Sequence, residues 1–324
     1  MGPQIEPRVP ALVLAPMEGI TDAPMRALQG SSAAFTYAVS EFLRVSNSVL
    51  PAKVFRKAVP ELDMEAGGLP VQVQLLGGDP DLMAASAQNA VKAGTTSIDI
   101  NFGCPAPIVN RHDGGASLLR CPERIREIVS AVRSAVPEDL PVSAKLRLGW
   151  ECIEEIHRNA QMAAEGGASW ITIHARTRVQ GYRPPVFWAP IGVVRRSLDI
   201  PVVANGDIWT FEDFLRCREE TGCIHFMLGR SALSNPSLPH RVASELRIAT
   251  GPTRRRTWAE LFADLVDRMG GDTAHEHGRS LMRVKQWMKL AHQFGDFPYF
   301  EELKQVRTLA ELFEGLDLLV LNAA

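Results

Sequence analysis

The chain has 324 residues, of which 46% are apolar and 22% charged. That balance excludes intrinsic disorder, collagen and coiled coil, and the length suffices for a sizeable core. Lys and Arg number 35 against 37 Asp and Glu, a formal net charge of -2, so whole-chain charge gives no hint of nucleic acid yet leaves room for a local basic face.

The N-terminus lacks a basic n-region, and Glu6 stands where a myristoylation signal needs Ser or Thr. Short β-branched runs, each followed by a turn and a helical pattern, then predict eight strands. They are Leu12 to Ala15, Thr36 to Ser40, Val71 to Leu75, Ser97 to Asn101, Val142 to Leu146, Trp170 to His174, Val202 to Asn205 and Ile224 to Leu228. Asp79 and Pro80 pair as N-cap and first turn of a crossover helix with apolar Leu82, Ala85 and Val91, stopped by Gly94. Pro122 opens another, whose Ile125, Ile128, Val129, Val132 and Val136 recur at helical spacing.

Eight alternations in under about 250 residues fit an α/β fold of the (β/α)8 TIM barrel type better than an open doubly wound sheet. After Arg230 the strand signals stop. Helices follow, with a break at Gly251 and Pro252 and a basic run at Arg254, Arg255 and Arg256. A barrel over 1–245 and a small helical domain over 246–324 are expected. No uncharged stretch reaches the roughly 20 residues of a membrane helix, so a soluble, cytoplasmic monomer without membrane or protein partner is expected.

Side chains alternate faces along a strand. Gln72 and Gln74, Asp99 and Asn101, Ser143, Lys145 and Arg147, and Thr172 and His174 share the parity opposite to their apolar neighbours, which gives four consecutive strands a polar lumen. Burying a bare amide or ammonium costs about 2 to 7 kcal/mol or more. The groups therefore either satisfy one another or meet a ligand, and the placement of Gln74, Asn101, Lys145, His174 and Asn205 at C-terminal strand ends favours the ligand.

Asn205, Gly206 and Asp207 end the seventh strand, and Gly229 and Arg230 the eighth. Barrel phosphate sites are built there, with glycines admitting backbone N–H groups and an arginine forking onto the oxygens. Cys104, in Asn101-Phe102-Gly103-Cys104-Pro105 after the fourth strand, is placed to act as an acid or nucleophile. The other cysteines, Cys121, Cys152, Cys217 and Cys223, read as small apolar residues. The odd count without a C-x-x-C pair argues against disulfides and zinc, so no metal is expected.

Seven motifs in order resemble the tRNA dihydrouridine synthases: Ala15-Pro16-Met17-Glu18-Gly19, Gln74-Leu75-Leu76-Gly77, the Cys104 loop, Lys145-Leu146-Arg147-Leu148-Gly149, His174-Ala175-Arg176-Thr177, Asn205-Gly206-Asp207 and Gly229-Arg230. The resemblance implies an FMN enzyme that reduces a tRNA uridine to 5,6-dihydrouridine with NADPH. It implies that Pro16, Met17 and Glu18 lie along the flavin, that Gln74 and Lys145 contact its ring, that His174 lies nearer the phosphate tail, and that Asn205, Gly206, Asp207, Gly229 and Arg230 cradle the phosphate. Hydride would pass from flavin N5 to uracil C6, and Cys104 would protonate C5.

Glu41-Phe42-Leu43-Arg44, Arg283-Val284-Lys285-Gln286-Trp287 and Arg307 resemble the C-type branch, which acts on uridine 16 of the D loop. The resemblance makes Arg44, Arg283, Lys285 and Arg307 tRNA contacts and sets Asn101 and Tyr182 near the flipped uridine. On a helical wheel Leu281, Val284, Met288 and Ala291 form one stripe, with Arg279, Arg283, Lys285 and Lys289 spread over the opposite side.

The chain departs from the family at Ala106-Pro107-Ile108, where a basic residue is common, with Arg111 or His112 as substitutes. It departs again at Asp207, where a longer Glu is common. Three other readings stand beside this one: a flavin barrel acting on a free pyrimidine, a flavin-free aldolase using Lys145, and a non-catalytic tRNA-binding protein.

Overall fold

The computed structural model describes residues 2–63, 68–110, 114–248 and 256–323. Arg111, His112, Gly251, Pro252, Arg254 and Arg255 lie outside the described residues.

Eight parallel strands close into a barrel: β1 (Ala11–Leu14), β2 (Tyr37–Val39), β3 (Val71–Leu76), β4 (Ile98–Asn101), β5 (Val142–Arg147), β6 (Ile171–His174), β7 (Val202–Asn205) and β8 (His225–Leu228). Each pairs with its neighbour, and β8 returns to β1 with Ala11 opposite His225. A two-residue strand, Leu43–Arg44, extends β3 at Leu75 and Leu76. It is too short to carry a period of its own and is not among the eight strands expected from the sequence.

The crossovers are helical because their ends are chemically marked. In the helix Pro80–Lys92, Asp79 Oδ1 accepts from the Leu82 N–H at 2.9 Å, and Gly94 leaves at φ 105°. The helix Pro122–Ala135 buries Ile125, Ile128, Val129 and Val132. These face the outward residues of β3 to β5, including Val73, Ile98, Ile100 and Val142, in one continuous core.

The lumen has two characters. Val13, Tyr37, Val39, Trp170, Val203 and Met227 form a separate apolar cluster. The polar parity of β3 to β6 fills the rest: Gln72 Nε2 reaches Ser97 Oγ at 2.9 Å and Ser143 Oγ at 3.1 Å, and Gln74 Nε2 reaches Asp99 Oδ2 at 2.7 Å. Lower in the barrel, then, the polar groups do satisfy one another, while the strand ends open into a cavity.

Beyond β8 the chain is helical, with Trp258–Met269, Ala274–Phe294 and Leu309–Ala323 the longest segments. Thr257 with Glu260 and Thr273 with Glu276 make capping boxes that start the first two. Trp258 and Phe262 each pack edge to face against Trp287 and Phe297, with centroids 5.2–5.9 Å apart. Trp287 Nε1 also donates to the Leu233 carbonyl at 2.8 Å. This explains Trp287 and Leu290, which fall outside the simple stripe: the helix Ala274–Phe294 is covered on two sides and both residues are buried. Its apolar residues join the cluster that surrounds the barrel.

Among the described residues no helix is long and apolar enough to cross a membrane.

Candidate functional site

A cavity of about 360 Å³ opens at the C-terminal strand ends, within the range of small-molecule sites. Its walls come from the C-terminal ends of all eight strands and the loops that follow them, with Phe42 supplied after β2. Pro16, Met17 and Glu18 follow β1, Gln74 lies on β3, Asn101 ends β4 and Cys104 follows it, Lys145 and Arg147 lie at the end of β5, and His174 ends β6 with Tyr182 in the loop beyond. Asn205 ends β7 with Gly206 and Asp207 after it, and Gly229 and Arg230 follow β8.

Cys104 is 9% exposed, against Leu76 and Val109. Burial raises its thiol pKa, opposed by a backbone bond at Ala106 and by the Arg147 charge. The thiol is thus held protonated at neutral pH. Its loop is pinned from both sides: Arg147 Nε donates to the Gly103 carbonyl at 2.8 Å, and Asn110 Nδ2 to the Cys104 carbonyl at 3.2 Å. Arg147 Nη1 also holds the Gly181 carbonyl at 2.8 Å, beneath the Tyr182 ring.

Arg147 is a site residue that alternation placed in the lumen without a role. Its signal was parity on a strand that already carries Lys145. Burial and the neighbouring Arg147 lower the Lys145 pKa, while Asp99 and Cys104 act to raise it. His174 is held neutral, first by burial and then by Arg147, Lys145, Arg176 and Arg230.

At the far end, Gly206 has φ 110°, and a Cβ there would stand 2.6 Å from His174 Cδ2. Trp188 Nε1 donates to the Gly206 carbonyl at 2.9 Å, so the turn is fixed by a buried ring. Asp207, at φ 53°, ion-pairs with buried Arg176 and has Arg230 Nη2 at 3.9 Å. Arg230 in turn lies over the rings of Tyr182, Trp209 and Phe294 at 4.6–5.0 Å. Asp207 thus lies between two arginines at this end of the cavity. Arg176 Nε and Nη1 and Asp207 Oδ1 are buried without a hydrogen-bond partner.

The cavity suits a planar heteroaromatic group with an anionic tail. Met17, Ile208, Met227 and Leu228 give apolar walls, and Gln74, Asn101 and Lys145 give polar edges. The Gly206 turn and Arg230 give a donor-rich far end.

Arg44, Arg283, Lys285 and Arg307 stand outside this cavity. Arg44 Nη2 donates to the Ile108 carbonyl at 3.3 Å, at the rim beside the Cys104 loop. Arg307 is exposed. Arg283, expected on an open basic face, is instead 8% exposed, paired with Asp22 at 3.3 Å and bonded to the Ile20 carbonyl. Lys285 donates to the Val306 carbonyl. The expected four-cation face is corrected accordingly: Arg279 and Lys289 are exposed, whereas Arg283 is turned onto the loop after β1 and Lys285 onto the Val306 carbonyl. A helical wheel orders residues about one axis and does not reveal that a second surface packs on the polar side.

The dihydrouridine synthase (Dus) family model matches residues 13–322. The tRNA-dihydrouridine(16) synthase of Shewanella oneidensis is 42% identical over 316 residues, which cover 94% of this chain and 97% of that protein. Those of Ralstonia nicotianae and Cupriavidus necator are 42% and 41% identical, covering 86% of this chain in both cases and 85% and 86% of the relatives. The match runs from the first barrel strand through the last helix and takes in every loop of the cavity, so the chain belongs to the dihydrouridine synthase family.

Proposed function

We propose that the chain reduces uridine 16 in the D loop of tRNA to 5,6-dihydrouridine, with FMN as bound cofactor and NADPH as reductant. The observation that carries the reading is a buried thiol, Cys104, sharing one cavity with Lys145 and Gln74. Family membership and the names of the relatives point the same way.

Pro16, Met17 and Glu18 would lie beside the flavin, Gln74 and Lys145 at its polar edges, and His174, Asn205, Gly206, Asp207, Gly229 and Arg230 at its phosphate end. FMN held there would supply hydride chemistry toward C6 of the uracil, with NADPH as its electron source. Cys104 gives its proton to C5, the step for which a thiol kept neutral by burial is suited, and the thiolate regains a proton from solvent. Arg147 keeps the thiol in place by holding the Gly103 carbonyl. Lys145 would set a positive charge at the polar edge of the bound ring.

Asn101 and Tyr182 would face the uracil, and Tyr182, 56% exposed over two arginines, offers a ring for stacking. A stacked base must first leave the tRNA fold, at a cost of a few kcal/mol that phosphate contacts offset. Arg44, Arg307, Arg279 and Lys289 supply these in the present reading, and the helices of 246–324 form the tRNA-binding domain. Lys285 contributes through the segment it anchors at Val306.

The test is to map dihydrouridine in tRNA from cells lacking the gene, complemented with wild type or Cys104→Ala. Loss confined to position 16, restored by wild type alone, is expected. Dihydrouridine at position 16 in the deletion strain would refute the reading.

A further inference from the structure

A carboxylate below the cavity is joined to the Cys104 loop by an unbroken run of hydrogen bonds. Asp99 Oδ2 accepts from Gln74 Nε2 at 2.7 Å, Gln74 Oε1 accepts from Asn101 Nδ2 at 2.9 Å, and Asn101 Oδ1 accepts from the Gly103 N–H at 2.8 Å. Asp99 is 2% exposed and its other oxygen is held by Ser143. It does not line the cavity and takes no part in the proton transfer above.

The two ends of this run are chemically one-way. An ionised carboxylate only accepts and a backbone N–H only donates, whereas a carboxamide does both and fits its space in either sense. With an acceptor fixed at one end and a donor at the other, both intervening carboxamides are forced to point nitrogen toward Asp99 and oxygen away. Gln74 and Asn101 both line the cavity, so their sense decides which donor or acceptor a ligand meets.

We propose that Asp99 is a positioning residue that fixes the donor–acceptor sense of Gln74 and Asn101, and thereby selects which polar edges of a flavin and of a uracil the cavity accepts. The inference rests on the flavin reading above. Asparagine at this position can donate or accept, so the run loses the constraint at its Asp99 end and only the Gly103 N–H at the other end still opposes the reversed sense. In that sense, Asn101 turns its NH2 toward the Gly103 N–H and releases the Cys104 loop. The same carboxylate also favours the protonated form of Lys145, so its removal acts on the cation as well.

The experiment compares FMN affinity of the apoprotein, by quenching of flavin fluorescence, with thermal unfolding. Three proteins are used: wild type, Asp99→Asn, and Ser143→Ala, which loses a bond to the same carboxylate but keeps the sense. Asp99→Asn is expected to bind FMN at least about tenfold more weakly, and Ser143→Ala within about threefold of wild type. FMN affinity of Asp99→Asn within about twofold of wild type, or an equal loss in Ser143→Ala, overturns the proposal.

If Asp99→Asn does not fold, Asp99→Asn/Asn101→Asp replaces it. There the run is again fully bonded with Gln74 reversed, so the fold is expected to return without the affinity. Wild-type FMN affinity in that variant overturns the proposal. Wild-type apoprotein that fails to bind FMN instead sinks the functional reading itself.

Discussion

Arg283 Nε lies 3.3 Å from Asp22 Oδ2 across 261 residues of sequence. Its Nη2 donates to the Ile20 carbonyl, and Gln286 Nε2 reaches the Gly19 carbonyl at 3.1 Å. The long C-terminal helix thereby grips the loop whose Met17, Glu18 and Ile20 line the cavity. A residue that resemblance assigned to RNA acts here within the protein, on the wall of the proposed flavin site.

Arg283→Ala is accordingly expected to weaken FMN binding and to lower stability by about 1–3 kcal/mol, the range for a lost hydrogen bond to a charged group. Arg283→Lys is expected to restore little, because an ammonium cannot hold Asp22 and the Ile20 carbonyl in one fork. Thermal unfolding and FMN titration check this. Full FMN affinity together with weakened tRNA binding would return Arg283 to the RNA face.

Cys104 and Lys145 must both carry protons in the proposed reaction, and burial shifts their pKa values in opposite directions, bringing Lys145 down to about 8 while Cys104 rises from 9.0. Activity is therefore expected to hold on the acid side of its alkaline limb and to decline as pH rises, first through Lys145 and then through Cys104. Cys104→Ala is expected to lose about 10²- to 10⁴-fold in turnover while still binding FMN. A pH–rate profile that climbs steadily above pH 9 would show that no thiol proton is used.

Much of this site was legible because strand alternation is a local property. Gln74, Asn101 and Lys145 needed only a parity and a strand end to be placed at the rim, and Gly206 and Arg230 only their positions after β7 and β8. Arg283 was misplaced for the complementary reason: its partners are Ile20 and Asp22, and no helical period records what a distant loop lays across it. Arg147 and Asp99 fall between these cases. Their lumen parity was plain, but their work lies in which backbone or amide atom each one holds, and only the closed barrel brings those atoms together.

Gly206→Ala is expected to damage the phosphate end. At φ 110° a side chain is strained by about 1 kcal/mol or more, and the added carbon would meet His174 Cδ2 at 2.6 Å. His174 must shift, and with it the floor between the two ends of the cavity. Weaker FMN binding with a modest fall in thermal midpoint is the expected result. Gly19→Ala serves as the contrast, because it shares a positive φ yet has nothing within 4 Å of its added carbon. Equal loss of FMN affinity in the two variants would refute the crowding argument.

Tolerance of acid should be limited by histidines that the barrel keeps neutral. Burial lowers the His225 pKa from 6.5 to about 4 and that of His174 well below 6.5. Their folded pKa values are depressed, so the unfolded chain binds the extra protons. The stability they confer is complete above about pH 6.5 and is lost as pH falls toward the folded values. Asp99, raised from 3.8 to about 6 by burial, works in the opposite sense over the same interval and offsets part of the loss. His225 alone is expected to remove about 2 kcal/mol between pH 7 and pH 5. His225→Leu deletes the titrating group, and with it an unpartnered buried Nδ1, so urea unfolding of that variant should show a shallower fall over this range. A variant as acid-sensitive as wild type would place the titration elsewhere in the chain.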